Sequence, residues 1–159
     1  MHSTNSLLVA LAGFLAASSA GAFEVEGFRT GMSKDEVVST AEKRATLRNI
    51  DENTVVATDP SGSYLSFNFC KGSLAAIQQG FPATLKHVSL LTAEFNKRYG
   101  KPFSIDSGSR ADPSGEIHEM GIWWKAGSEY ISLYYMGTPQ GDSLSASHQS
   151  KNSCFKVPR

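Results

Sequence analysis

The chain has 159 residues, of which 40% are hydrophobic, and its 15 basic side chains balance its 15 acidic ones. This neutrality argues against nucleic acids and anionic membranes as partners, because such partners are bound mainly through an excess of Lys and Arg. The length and apolar content suit one domain of ordinary size with its own core.

Residues 1–22 contain no Lys, Arg, Asp or Glu and are predicted to be an export signal. An apolar run at 7–17 is followed by small residues, and Ala20 and Ala22 occupy the −3 and −1 positions of an A-x-A cleavage site. A spanning helix needs roughly 20 apolar residues, so a cleaved signal is favoured over an anchor. The mature chain is therefore predicted to begin at Phe23, to lack a stable membrane anchor, and to be periplasmic or secreted.

The mature chain is predicted to be one domain, 23–159, whose first half ends at residue 81. In this half Ser33 and Glu36 form an S-x-x-E capping box, which predicts a helix that begins there and ends near Arg44. The alternation of apolar and polar residues then predicts strands at 54–58, 64–70 and 73–79.

The second half, 82–159, has the most regular helical pattern in the chain. Apolar residues recur at helical spacing between a Thr84 cap and Gly100, which predicts a helix over this stretch. The last stretch of alternating residues, 143–150, places Leu144 and His148 on one side and is expected to be an edge strand of the sheet. Strands are predicted at 103–106, 117–125, 129–136 and 143–150, with a polar loop at 107–115.

These elements predict an α+β fold made of two helix-then-strands units. Antiparallel strands accompanied by a few helices usually form two packed layers. We expect one antiparallel sheet built from both halves, with both helices packed on one face. That face would carry Leu65, Phe67 and Phe69, which alternate with polar residues along their strand.

The two cysteines, Cys70 and Cys154, are predicted to form a disulfide. An even number of cysteines in an exported chain favours a disulfide, because the compartment is oxidising. Neither cysteine belongs to a C-x-x-C motif that would indicate redox or metal chemistry. Closing a loop of about 85 residues would stabilise the fold by roughly 4 to 5 kcal/mol.

An aromatic hairpin around residue 127 provides the candidate binding residues. Trp123 and Trp124 are adjacent in a predicted strand, so they point to opposite faces and one of them is expected to leave the core. Trp123, Tyr130 and Tyr134 are the predicted anchors for a sugar, a peptide or a partner protein. The alternative is that these rings only cover the open face of a half-buried sheet.

Motifs for catalysis, metal binding and nucleotide binding are not found in the sequence. His118 and Glu119 begin an H-E-x-x-H pattern, but Ile122 stands where the second histidine is required. The chain has no G-x-S-x-G elbow and no glycine-rich phosphate loop. No catalytic residue, metal site or cofactor is therefore predicted.

The stretch 31–37, GMSKDEV, resembles the G-M-[ST]-x-x-x-V opening of the BamE-like (SmpA/OmlA) family of small outer-membrane-assembly lipoproteins. Residues 64–67 and 71–74 are similar to the strand–turn–strand of that family, and 100–102 to its G-x-P helix exit. The doubled order of elements also resembles secreted β-lactamase inhibitory proteins, which look like two such units in tandem. The resemblance implies helices packed on a short antiparallel sheet. No cysteine follows the signal, so lipid anchorage is not carried over.

The function predicted from these features is a soluble exported module of the cell envelope that binds a protein or a ligand. Its candidate partner is another envelope or secreted protein, and no nucleic acid is expected. One alternative is an exported hydrolase whose active site has no recognisable motif. Another alternative is an envelope protein with a purely structural role.

Overall fold

The computed structural model describes residues 23–152 and 154–155. The export signal predicted at 1–22 lies outside the described residues and stays a prediction. Within the described part of the chain, neither helix has the length and apolar character needed to cross a membrane.

Two helices and ten strands make up the described chain. The N-terminal strands are short, and the others form long antiparallel ladders. In chain order the elements are β1 (Glu24–Val25), β2 (Phe28–Arg29), α1 (Lys34–Ala41), β3 (Thr46–Asp51), β4 (Thr54–Thr58), β5 (Tyr64–Cys70), β6 (Ser73–Phe81), α2 (Leu85–Tyr99), β7 (Ser104–Asp112), β8 (Gly115–Ala126), β9 (Glu129–Thr138) and β10 (Gly141–Ser150).

Both helices begin at the caps that the sequence predicts. The Ser33 side chain accepts a hydrogen bond from the Glu36 amide, and the Glu36 carboxylate accepts one from the Ser33 amide at 2.8 Å. Helix α2 begins after Thr84, whose hydroxyl accepts from the amide of His87, and ends before Gly100 at φ 83°. These bonds satisfy amides that the first turn of a helix would otherwise leave unpaired.

The predicted α+β class, with two helix-then-strands units and helices packed on one face, is wrong. Strands hold 55% of the described residues and helices only 17%, and one large antiparallel sheet organises the chain. The helices bury only Val37, Ala41 and Phe95. The protein is therefore a mostly β fold, because the core is made by strand residues and the two helices contribute little of it.

Eight strands form the sheet in the order β3-β4-β5-β6-β10-β9-β8-β7. The prediction that 143–150 is an edge strand is wrong, because β10 pairs with β6 on one side and with β9 on the other. The predicted loop 107–115 is also wrong, because β7 continues to Asp112 and pairs with β8 along its full length. Strand β7 forms one outer edge of the sheet and β3 forms the other.

One row of register partners crosses six strands and forms the centre of the core. Partners that lie directly opposite each other point to the same face of a sheet, so this row defines a single face. Phe95 of α2 packs on Trp124 with ring centroids 5.3 Å apart, and the α1 residues pack at the other end of the row. The few contacts that the two helices make with the sheet are therefore on this face, which we call the helix face. The row consists of Val55, Phe67, Ile77, His148, Ile131 and Trp124, all buried.

The predicted disulfide between Cys70 and Cys154 is confirmed, with the Cα atoms 5.8 Å apart and a sequence separation of 84 residues. It joins the end of β5 to the segment that follows β10. The side chain of Asn152 accepts hydrogen bonds from the amides of Cys154 and Phe155, which turns this segment back toward the sheet. The described C-terminal residues are therefore fastened to the middle of the fold.

Candidate functional site

The face of the sheet opposite α1 and α2 is the candidate binding surface, and we call it the open face. Two rows of register partners define it. The amide of Gln78 donates to the Ser145 hydroxyl at 2.8 Å, so polar side chains bond to one another across this face. The first row consists of Gly80, Ser145, Tyr134, Gly121 and Asp106, and the second of Ser66, Gln78, Ser147, Ser132, Trp123 and Ser104.

The three predicted anchors all lie on the open face and are half-buried. Trp123 stands opposite Ser132 and Tyr134 opposite Gly121, so these two rings are neighbours on β8 and β9. Tyr130 lies apart from them, toward the β8–β9 turn. Its ring is already in contact with Phe103 and with the ammonium group of Lys125, 5.8 Å from the centroid.

The strand also separates the two tryptophans as the sequence predicts. Trp124 is fully buried on the helix face, and its indole N–H donates to the Asn96 side chain at 3.0 Å. The half-buried indole of Trp123 has neither a hydrogen-bond partner nor a ring partner among the described residues. Its N–H and its π face are available for an external contact.

A cavity of about 350 Å³ opens on this face beside Trp123 and Tyr134. We call it the aromatic pocket. Gly121 forms part of its floor, because a Cβ there would lie 3.0 Å from the Trp123 indole nitrogen and 3.6 Å from the Tyr134 ring. The absence of a side chain at Gly121 thus lets both rings approach the backbone. The pocket is lined by Asp106, Ser107, Gly108, Glu119, Gly121, Trp123 and Tyr134.

Two carboxylates give the aromatic pocket its charge. Glu119 forms an ion pair with Arg110 at 3.3 Å. Asp106 accepts a hydrogen bond from Ser104 at 3.1 Å and has no ion-pair partner among the described residues. Burial, together with the nearby Glu119 carboxylate, raises the pKa of Tyr134 above its usual value of 10.0, so this phenol is neutral at physiological pH.

A second cavity, of about 370 Å³, lies beside α1 in the first half of the chain. Its charged side chains are engaged in local structure. Arg44 donates to the Glu26 carbonyl at 2.8 Å and stacks over the Phe28 ring. Asp59 accepts from the amides of Ser61 and Ser63 and so holds the β4–β5 turn. The ionised side chains of this cavity are thus held in local structure, whereas Asp106 of the aromatic pocket has no ion-pair partner among the described residues.

The histidines do not converge with other metal-ligating side chains. No group of three His, Cys, Asp or Glu residues is close enough to hold a metal ion among the residues described. His118 lies 3.9 Å from Glu116 on the solvent-exposed surface. His148 lies instead in the core, between the rings of Phe23 and Tyr99 at 6.2 and 6.3 Å.

Two ionisable groups are buried on the helix face, away from the aromatic pocket. Burial lowers the pKa of His148 to about 4, so the imidazole is neutral at physiological pH. Burial raises the pKa of Glu129 to about 7, and its Oε1 atom has no hydrogen-bond partner in the described chain. Both groups therefore influence stability through the cost of carrying charge in the core.

We expect the stability difference between Glu129→Gln and the wild type to depend on pH. The pKa of Glu129 in the folded protein, about 7, lies above its ordinary value of 4.5. The contribution of the neutral Glu129 carboxyl group to folding stability is therefore fully present below pH 4.5, and it is lost as the pH rises through 7. We expect the free energy of unfolding of Glu129→Gln to rise by about 2 to 3 kcal/mol relative to that of the wild type as the pH is raised from 4.5 to 8. Denaturant titrations over this pH range measure the difference.

Glu42→Gln is the matched control for this titration, because Glu42 is exposed and has no ion-pair partner among the described residues. Its stability should keep a constant offset from the wild type over the same pH range. A constant offset for Glu129→Gln as well would show that the Glu129 carboxylate is solvated in the folded state.

The sequence predicts the aromatic residues of the pocket but not its acidic wall. Asp106 falls at the end of a predicted strand, and the register between β7 and β8 places its side chain beside Gly121. The sequence singles out Glu119 only as part of the incomplete H-E-x-x-H pattern. The signal that could have identified the wall is the alternation of Trp123, Gly121 and Glu119 on one side of β8.

Comparison with known proteins finds no family model that matches the chain, no similar curated protein and no similar solved structure. The resemblance of residues 31–37 to the BamE-like family therefore stays a prediction. Function has to be inferred from the geometry of the site.

Proposed function

We propose that this protein is an exported binding module that contacts a partner protein through the open face of its sheet. The observation that carries the proposal is the aromatic pocket, where Trp123 and Tyr134 stand beside two carboxylates on a face that no described helix covers. Half-buried Trp and Tyr are the side chains that most often dominate protein interfaces.

The composition of the open face also suits binding. Small and polar side chains surround the rings: Ser132 stands opposite Trp123 and Ser145 opposite Tyr134, and these two serines are only 5% and 7% exposed. Such a surface combines rigid aromatic anchors with adaptable hydrogen-bonding groups, as many protein-binding surfaces do. The three predicted anchors keep different roles here: Trp123 and Tyr134 line the pocket, whereas Tyr130 borders it.

Binding is favoured over the alternative of an exported hydrolase. The pocket lies next to the outer strand β7 and is open to solvent, with the Asp106 side chain exposed. Hydrolytic sites commonly exclude bulk water and direct a nucleophile or a base at the reacting atom of the substrate. Glu119 is already paired with Arg110, which leaves Asp106 as the unpaired carboxylate of the pocket.

Export to the periplasm or the surrounding medium is part of the proposal. The disulfide between Cys70 and Cys154 supports it, because such bonds persist mainly in oxidising compartments. The predicted signal at 1–22 and the small residues at Ala20 and Ala22 point to the same compartment.

A capture experiment with matched variants tests the binding surface. The mature protein, with its disulfide intact, is immobilised and exposed to the envelope and secreted fractions of the producing cells, and bound proteins are quantified by mass spectrometry. We expect at least one protein to bind the wild type and to be reduced at least about tenfold by Trp123→Ala combined with Tyr134→Ala, because truncation of central aromatic anchors costs 2 kcal/mol or more.

Leu85→Ala combined with Leu90→Ala is the control, since both leucines are exposed on α2 on the other side of the molecule. The control variant should capture the same protein as the wild type does. Equal capture by all three forms would contradict a binding role for the open face.

A further inference from the structure

We propose that the aromatic pocket receives a single Lys or Arg side chain of the partner protein. This inference rests on the proposed function, because it assigns the chemistry of the group that enters the same site. It draws on three features of the pocket: its charge, its rings and its size.

The charge of the pocket favours one cation. Two carboxylates, Asp106 and Glu119, face one guanidinium, that of Arg110, which leaves one net negative charge. Asp106 carries that charge, because Arg110 is engaged with Glu119. A Lys or Arg side chain would neutralise Asp106 through a charge-assisted hydrogen bond.

The rings add a second attraction for the same kind of group. Cations bind the faces of Trp and Tyr within about 6 Å of the ring centre, and Trp is the strongest acceptor. The open face already shows this contact at Tyr130, where Lys125 lies over the ring at 5.8 Å. Trp123 has no cation over its ring among the described residues, so the equivalent position is free in the pocket.

The size and donor content of the pocket also fit a side chain. Its volume of about 350 Å³ is at the lower end of the range for small-molecule sites, so it can hold one long side chain. A sugar would need several hydrogen-bond donors as well as acceptors. In this pocket the Arg110 guanidinium is engaged with Glu119, and acceptors dominate.

Two indole resonances make the proposal directly testable by NMR. The ¹⁵N-labelled mature protein is titrated with Nα-acetyl-arginine amide, with Nα-acetyl-norleucine amide as the neutral probe of similar length. We expect arginine amide to shift the Trp123 indole resonance saturably and to leave Trp124 unmoved, because the indole of Trp124 is buried and bonded to Asn96. The norleucine probe should bind at least about fivefold more weakly.

Variants identify the group that binds the cation. Asp106→Asn keeps the shape of the pocket and removes its unpaired charge. It should lower the affinity for Nα-acetyl-arginine amide at least about threefold. Glu116→Gln makes the same change of charge on an exposed residue of β8 that does not line the pocket, and should leave the affinity unchanged. Added salt should weaken binding to the wild type and have less effect on Asp106→Asn.

Equal shifts of the Trp123 resonance with the charged and the neutral probe would overturn the proposal, as would an absence of any shift. A shift with methyl glucoside but none with arginine amide would overturn it in favour of a sugar site. These results are distinguishable from failure of the proposed function. If the Trp123→Ala, Tyr134→Ala variant still fails to capture the partner, the open face binds a protein, and only the assignment of a Lys or Arg side chain to the aromatic pocket is wrong.

Discussion

Replacing both Cys70 and Cys154 by serine is expected to lower the free energy of unfolding by about 4 to 5 kcal/mol. The disulfide closes a loop with 84 residues of sequence separation, and the unfolded chain loses much conformational freedom while that loop is closed. Removing the bond returns this freedom to the unfolded state only. Denaturant unfolding at neutral pH, monitored by tryptophan fluorescence, gives the difference.

The reduced wild type is the control for this variant. Treatment with a thiol reductant should lower its stability to that of the double serine variant, and the reductant should not affect the variant itself. A loss below about 1 kcal/mol would mean that the unfolded chain is already compact near these positions or that the native bond is strained.

Trp124→Ala is expected to lower the free energy of unfolding by about 3 to 5 kcal/mol. The side chain is fully buried, packs edge-to-face on Phe95, and donates its indole N–H to Asn96. Truncation would leave a cavity between α2 and the sheet and an amide oxygen without its donor. Equilibrium denaturation measures this loss.

The neighbouring tryptophan is a natural control, because Trp123 differs from Trp124 by one residue and by the face on which it lies. Trp123→Ala should cost less than about 1 kcal/mol, since its ring is half-buried on the open face. Trp124→Phe should cost less than Trp124→Ala, because the ring is kept and only the bond to Asn96 is lost. Similar losses for both alanine variants would contradict the assignment of the two rings to opposite faces.

Local sequence signals predict most of the secondary structure correctly. The Ser33 capping box and the Thr84 cap place the helix starts, because capping bonds involve residues only three positions apart. Strands β4 and β5 have the predicted bounds, since alternation is a property of neighbouring residues. The disulfide follows from the predicted compartment and from an even number of cysteines.

Errors arise where hydrogen bonding between strands overrides the local preference of a segment. Residues 107–112 contain Gly108 and several small polar residues, so they read as a loop, but the β8 ladder holds them extended. Strand β10 reads as an edge strand because polar residues cover one of its sides. These residues belong instead to the open face, and β6 pairs with β10 across more than sixty residues of sequence.

Part of the aromatic pocket can be predicted from the sequence. The adjacency of Trp123 and Trp124 in one strand requires that one ring leave the core, and Tyr134 follows from the hairpin register. Asp106 could not be assigned, because its place beside Gly121 depends on the register between β7 and β8. The burial of His148 could not be assigned either, since it follows from the central position of β10.

Residue patterns along the chain account for the helix caps, the strand alternation, the cysteine pair and the division of the aromatic residues between two faces. The dominance of the sheet, the burial of His148 and the meeting of Asp106 with Trp123 and Tyr134 follow instead from the way the strands pair. Caps and alternation depend on residues a few positions apart, whereas the β6–β10 pairing joins segments more than sixty residues apart. The β7–β8 register is set by the ladder of hydrogen bonds in that hairpin, which composition alone does not reveal.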